Sequence, residues 1–303
     1  MRNNLELYSN NGLGNDLFLI FAGLSILEEK PVKLLINRSR IPVNHKETYL
    51  GSRYLEFILG GVEVDQVFKD GNSRLVVIVR KNVYRVFSKL NLTPLFYREY
   101  RSRTVGYDSK IENLNSPIRL YGYYQTYRFF EKVKKCFGKI EIVHKNPSDW
   151  FKKTASLLAN DANSCAVHLR RGDYLVSENR DLYGVLDVNY FISECKKRSN
   201  ANPDLTFYIF SDDLNASLEL SARLGQLRNV VVDDAKSNDP AETLLAMSKC
   251  RSFIIANSTF SYWAAILSDR PSFTVVPSKW YRNMPDPDQL IPEHWEKAEP
   301  VWL

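Results

Sequence analysis

Apolar runs recur through the second half of the chain, at 164–169, 206–210, 229–232, 252–256 and 273–276. Between them lie segments of helical spacing, near 187–199, 213–224, 240–250 and 259–268. Near-continuous apolar strands that alternate with helices predict a parallel sheet covered on both faces. Residues 151–303 are therefore expected to form an α/β, Rossmann-like domain. The first half is less regular. A turn, Asn11-Gly12-Leu13-Gly14-Asn15, opens a helix expected from Asp16 to Glu29. Strands are expected at Val32–Ile36 and Leu75–Val79, and a helix at Tyr49–Leu59. A second, less perfect α/β domain over 1–150 follows. The boundary falls between Gly138 and Asn163, with no Pro/Ser-rich linker to mark it. No internal repeat or low-complexity tract is present.

A chain of 303 residues has room for two domains. No apolar run approaches the ~20 residues of a membrane span. The start, Met1-Arg2-Asn3-Asn4-Leu5-Glu6, is charged where a signal peptide is apolar. A cytoplasmic location is the expectation. Cys136, Cys165, Cys195 and Cys250 are too scattered for a zinc site or a disulfide scaffold. The net charge of +6 is uneven: residues 1–150 carry 24 Lys and Arg against 15 Asp and Glu, and the rest carries 17 against 20. Such an excess is usually a solvated face, but it also suits an anionic lipid or acidic acceptor at a membrane surface. No motif for nucleic acid accompanies it.

The candidate chemistry sits at strand ends. His168-Leu169-Arg170-Arg171-Gly172-Asp173-Tyr174 follows the apolar Cys165-Ala166-Val167. Arginine forks match phosphate oxygens and stay charged, so the run reads as an anion-binding loop for a nucleotide diphosphate. A plain turn, with Asp173 pairing an arginine, is the bland alternative. Phe210-Ser211-Asp212-Asp213 ends the next strand. Its carboxylates suit guanine or ribose hydroxyls, or a helix N-cap. Asn257-Ser258-Thr259-Phe260 follows a third strand and enters a helix, a position that suits a phosphate. Gly12, Gly14 and Asn15 open a helix in the first half and weakly suit an anion or sugar. Asp286-Pro287-Asp288 is formally an Asp-x-Asp metal pattern, but among prolines it reads as a turn. No metal site and no Ser/His/Asp triad is indicated.

These pieces resemble the α-1,2-fucosyltransferases of glycosyltransferase family 11, bacterial type. His168–Tyr174 resembles the family's H-x-R-R-G-D motif. Gly12–Phe18 resembles its G-L-G-N-Q-x-F, with Asp16 in place of Gln. Gly122-Tyr123-Tyr124-Gln125, Phe210–Asp213, Asp239–Cys250 and Ile254–Leu267 resemble further blocks, and Pro277 and Trp280 match a later P-x-x-W. The resemblance implies a GT-B architecture: two facing Rossmann-like domains, 1–150 on the acceptor side and 151–303 binding GDP-fucose. It implies no cofactor and no metal. The implied reaction is inverting transfer of fucose to the 2-hydroxyl of a β-galactoside, a galactose-terminated oligosaccharide or lipid-linked glycan in surface-glycan synthesis. Arg170 and Arg171 would neutralise the leaving β-phosphate, and His168 would bond that phosphate or the fucose. Ser258, Thr259 and Phe260 would hold phosphates and ribose, Asp212 or Asp213 guanine or ribose, and Gly12, Gly14 and Asn15 would close over the diphosphate. Asp173 is the nearest candidate base, with pairing to an arginine as its other role. Transfer of α-1,6 or protein-O-fucosyl type, or nucleotide-sugar binding without catalysis, are the alternatives.

Overall fold

The computed structural model describes residues 4–8, 12–27, 33–37, 54–69, 98–114, 118–237, 239–269 and 271–303. The chain divides into two units: Met1–Lys145 with Pro287–Leu290, and Asn146–Asp286 with Ile291–Leu303. The sequence pattern placed a division after residue 150 and did not foresee the return of Pro287–Leu290 to the first unit.

In chain order the strands of the first unit are β1 (Asn4–Tyr8), β2 (Lys33–Asn37), β3 (Leu55–Leu59), β4 (Val62–Glu63), β5 (Asp65–Lys69), β6 (Arg98–Arg101), β7 (Ile118–Tyr121) and β8 (Ile140–His144). Its helices are α1 (Leu13–Leu24) and α2 (Arg128–Phe137). Five strands form a parallel sheet in the order β5-β2-β1-β7-β6. A smaller antiparallel sheet has the order β4-β3-β8. Helix α1 is buried over almost its whole surface, as an all-round apolar helix must be. Phe21 on it meets Phe57 and Phe130 edge-on, with ring centroids 6.2 and 5.0 Å apart.

Two expectations for this unit need correction. The first helix spans Leu13–Leu24 rather than 16–29, because Gly12 is the N-cap and Gly14 and Asn15 lie in the first turn. The segment expected as a helix at 49–59 is a strand from Leu55 to Leu59. Leu55, Phe57 and Leu59 are buried while Glu56 and Ile58 are half-buried, the two-residue period of a strand. Gly60 and Gly61, with φ of +51° and +81°, then turn the chain into β4. The strand expected at 75–79 lies outside the described residues.

The returning segment Pro287–Leu290 is held by backbone. The Tyr107 amide donates to the Asp288 carbonyl at 3.0 Å, and Thr126 Oγ1 donates to that of Gln289 at 2.7 Å. A Cβ on Gly106 would lie 2.3–2.9 Å from the Asp288 backbone. Backbone cannot swing aside as a side-chain tip does. Gly106→Ala is therefore expected to destabilise the protein by about 1–3 kcal/mol. Thermal unfolding checks this; a wild-type midpoint would contradict it.

The second unit contains β9 (Ser164–Leu169), β10 (Thr206–Ser211), β11 (Asn229–Val231), β12 (Ser252–Ile255), β13 (Phe273–Pro277) and β14 (Glu296–Ala298). Its helices are α3 (Asp149–Asn160), α4 (Ser177–Tyr183), α5 (Val188–Ala201), α6 (Leu214–Leu224), α7 (Pro240–Met247) and α8 (Thr259–Ile266). All six strands are parallel, in the order β11-β10-β9-β12-β13-β14. The expected strands and helices of this half are all present, within a few residues at their ends. Every residue of β9 is buried, which explains its unbroken apolar run. Cys165, Val167 and Leu169 on one face pack in a core with Phe191, Phe207 and Ile254. The fold class is α/β with parallel sheets in both units. Among the described residues, no helix is long and apolar enough to cross a membrane.

Candidate functional site

In the second sheet the strand order reverses between β9 and β12. Ligands of open α/β sheets bind at the carboxyl ends of the strands at such a switch point. His168, Arg170, Arg171 and Asp173 come from the end of β9, Asp212 and Asp213 from β10, and Ser258, Thr259 and Phe260 from β12 and α8. The sequence motifs of this unit are thus delivered to three neighbouring strand ends.

His168 is buried, and its Nδ1 has no hydrogen-bond partner among the described residues. Its ring lies 5.7 Å from that of Phe260, centroid to centroid. Burial, with the charge of Arg170 second, lowers its pKa from 6.5 to about 3, so the ring is neutral near pH 7. The unfolded chain binds a proton below about pH 6.5 that the folded chain refuses until about pH 3. Stability from this group is thus present above that window and falls as the pH drops through it, by up to about 1.4 kcal/mol per pH unit. Unfolding followed at about pH 7 and about pH 5 should show a smaller acid loss in His168→Asn than in the wild type. Equal losses would contradict the assignment.

The two arginines have different surroundings. Arg170 Nη2 donates to Asp173 Oδ1 at 2.5 Å, and Nη1 pairs with Asp212 Oδ2 at 2.6 Å. Burial opposes its charge, but Asp212 and Asp173 more than offset this and raise its pKa. Its side chain keeps 30% exposure. Arg171 is buried, and its Nη1 donates to the carbonyls of Leu186 at 2.8 Å and Arg170 at 3.2 Å. Its backbone amide donates to Asp212 Oδ1 at 2.8 Å. Asp212 therefore grips the loop twice. Gly172 has φ +26°, and a Cβ there would meet Asp212 Oδ2 at 2.5 Å, so the glycine of the motif admits the carboxylate.

Asp213 is the N-cap of α6, its Oδ1 accepting from the amides of Asn215 and Ala216 at 2.9 and 3.2 Å. Ser258 is the N-cap of α8, its Oγ accepting from the Phe260 amide at 3.4 Å. Thr259 and Phe260 are half-buried at the start of that helix. Asp286 Oδ1 accepts from the amides of Trp280 and Tyr281 at 3.0 and 2.9 Å, the work of a turn residue. Among the described residues, no group of three or more His, Cys, Asp or Glu is placed to hold a metal.

Sequence reasoning missed several neighbours. The phenol of Tyr174 donates to the Asn257 carbonyl at 3.2 Å, and the Arg170 guanidinium lies 5.5 Å from its ring centroid. Asp234, beyond β11, accepts from Thr243 Oγ1 at 3.2 Å, and desolvation raises its pKa, with Asp212 among the lesser causes. In the first unit, Gly12, Gly14 and Asn15 form the N-terminal turn of α1 behind β1, also beside a reversal of strand order. There Asn15 Oδ1 accepts from Gln125 Nε2 at 2.9 Å. The G-L-G-N and G-Y-Y-Q segments thus meet, although about a hundred residues separate them; only their common presence in the resemblance signalled it. Asp16 faces inward and is buried.

The sequence model described as Glycosyl transferase family 11 matches residues 72–294. The chain belongs to glycosyl transferase family 11. An Escherichia coli protein named Alpha-1,2-colitosyltransferase is 25% identical over 299 residues, covering 95% of this chain and 96% of its own. The Escherichia coli O-antigen biosynthesis glycosyltransferase WbnK is 31% identical over 127 residues, 41% of each chain. Among solved structures, NodZ α-1,6-fucosyltransferase soaked with GDP-fucose is 12% identical with a TM-score of 0.49, over 88% of this chain and 93% of that one. Within this family 11 chain, the matched region takes in the strand ends of the second sheet from β9 to the turn after β13.

Proposed function

We infer that this family 11 glycosyltransferase transfers L-fucose from GDP-β-L-fucose, with inversion, to the 2-hydroxyl of a galactose-terminated acceptor. The observation that carries the reading is Arg170, a partly exposed guanidinium held between two carboxylates at a topological switch point. A diphosphate leaving group is the anion such a group serves. In this reading the acceptor O2 attacks the anomeric carbon, its hydroxyl proton passes to water, and the bond from that carbon to the β-phosphate oxygen breaks. GDP departs with the electron pair, and Arg170 stabilises the charge that develops on it. His168, neutral, offers one ring N–H to the same phosphate or to the sugar. Thr259, Phe260 and the amides of α8 hold phosphate and ribose. Asp213 Oδ2 is offered to ribose or guanine. Arg171 and Asp212 shape the loop. Gly12, Gly14 and Asn15, at the N-terminal turn of α1, are offered to an anion or a sugar. No metal takes part, and the acceptor is a surface glycan on a lipid carrier at the cytoplasmic membrane face.

The relative named a colitosyltransferase, aligned over nearly the full chain, favours a second donor, a colitose nucleotide, at the same site. Incubation with GDP-fucose and with GDP-colitose, in EDTA, with a panel of β-galactosides tests both. Product NMR showing a sugar α-linked at galactose O2 supports the reaction, and the faster donor names the substrate. Linkage elsewhere, or a requirement for added metal, would overturn the respective part.

A further inference from the structure

Asn257 precedes the N-cap of α8 and is 1% exposed. Its side chain turns away from that helix. Nδ2 donates to the carbonyls of Tyr183 at 3.0 Å and Gly184 at 3.3 Å. Its own carbonyl accepts from the Tyr174 phenol at 3.2 Å. The rings of Tyr174 and Tyr183 pack together, with centroids 5.5 Å apart. One residue on the β12–α8 turn therefore ties down both ends of the segment from Tyr174 to Gly184. That segment continues directly from the Arg170 loop, and Arg170 lies against the Tyr174 ring. Loss of the amide would take the side-chain donor from the buried Gly184 carbonyl and leave that of Tyr183 with the Arg282 amide at 3.1 Å, loosening this end of the loop.

We propose that Asn257 is a positioning residue for the diphosphate site, setting the loop that presents Arg170 against the N-terminus of α8. The two anion-binding features then act on one phosphate group as a single device. Asn257 touches no nucleotide; it works through the loop. The inference rests on the reading of this rim as a diphosphate site.

The test is a double-mutant cycle on GDP affinity, measured by calorimetry on the full chain. Arg170→Ala and Asn257→Ala are each expected to weaken GDP by about tenfold or more, and the double variant to bind about as Arg170→Ala alone. A merely structural asparagine would lower the unfolding temperature and leave the two losses to multiply. Tyr174→Phe keeps the ring and removes only the bond to Asn257, so it is expected to fold as the wild type and show a smaller, equally non-additive loss. It replaces Asn257→Ala in the cycle if that variant does not fold. Multiplying losses, or wild-type GDP affinity in both variants, overturns the proposal alone. A wild type that binds no GDP overturns the diphosphate reading and this role with it.

Discussion

Replacement of Arg170 by alanine is expected to lower turnover by about 10²–10³-fold with little change in folding stability. The guanidinium is partly exposed, and so are its two partners, with side-chain exposures of 57% for Asp173 and 28% for Asp212. Ion pairs of that exposure contribute little to stability, about 0–1 kcal/mol. Its catalytic contribution is different in kind, because charge on the leaving diphosphate grows as the sugar bond breaks. Arg170→Lys keeps the charge but loses the planar fork that matches two phosphate oxygens, and is expected to recover only part of the rate. Steady-state kinetics on the three proteins, beside their unfolding temperatures, check this. Near-wild-type turnover in Arg170→Ala would contradict it.

The second large effect separates the two carboxylates of the loop. Asp212 holds Arg170 at 2.6 Å and the Arg171 amide at 2.8 Å, from a neighbouring strand. Without it, the loop loses both of these bonds to the end of β10, and a misplacement of about 1 Å at a reacting centre can cost 10²-fold. Asp212→Ala is expected to lose about 10–100-fold in kcat/KM for the donor. Asp173 is more exposed and its carboxylate pairs with Arg170 alone among the described residues, so Asp173→Ala is expected to lose less than about tenfold. If Asp173 is instead the base that takes the acceptor proton, its loss should reach about 10²–10⁴-fold, and the order of the two variants reverses.

The second unit was legible because its sheet is buried on both faces. Strands such as β9 and β12 carry no charge, so apolar runs and helical spacing were sufficient to find them. The first unit hid its strands behind charge. Glu6 on β1 is buried yet accepts from Arg119 on β7 at 2.6 Å, and Arg119 also reaches Glu99 on β6 at 3.6 Å. A pairing across three strands cannot be read from any one of them, and each alone looks too polar for a central strand. The same limit applies at the site. Adjacent arginines look equivalent in sequence, but Arg171 is turned onto the Leu186 carbonyl, a partner that only the folded loop brings near. Asn257 lies more than seventy residues from the carbonyls it holds, with no local pattern to announce them.

The most direct test of the account is the affinity of the wild-type chain for GDP against GMP, by calorimetry in EDTA. A β-phosphate seated on Arg170 predicts that GDP binds at least about tenfold more tightly than GMP, since charge-assisted bidentate contacts are among the strongest polar ones. Equal affinities, or no binding of either, would contradict a diphosphate site at the rim of the second sheet.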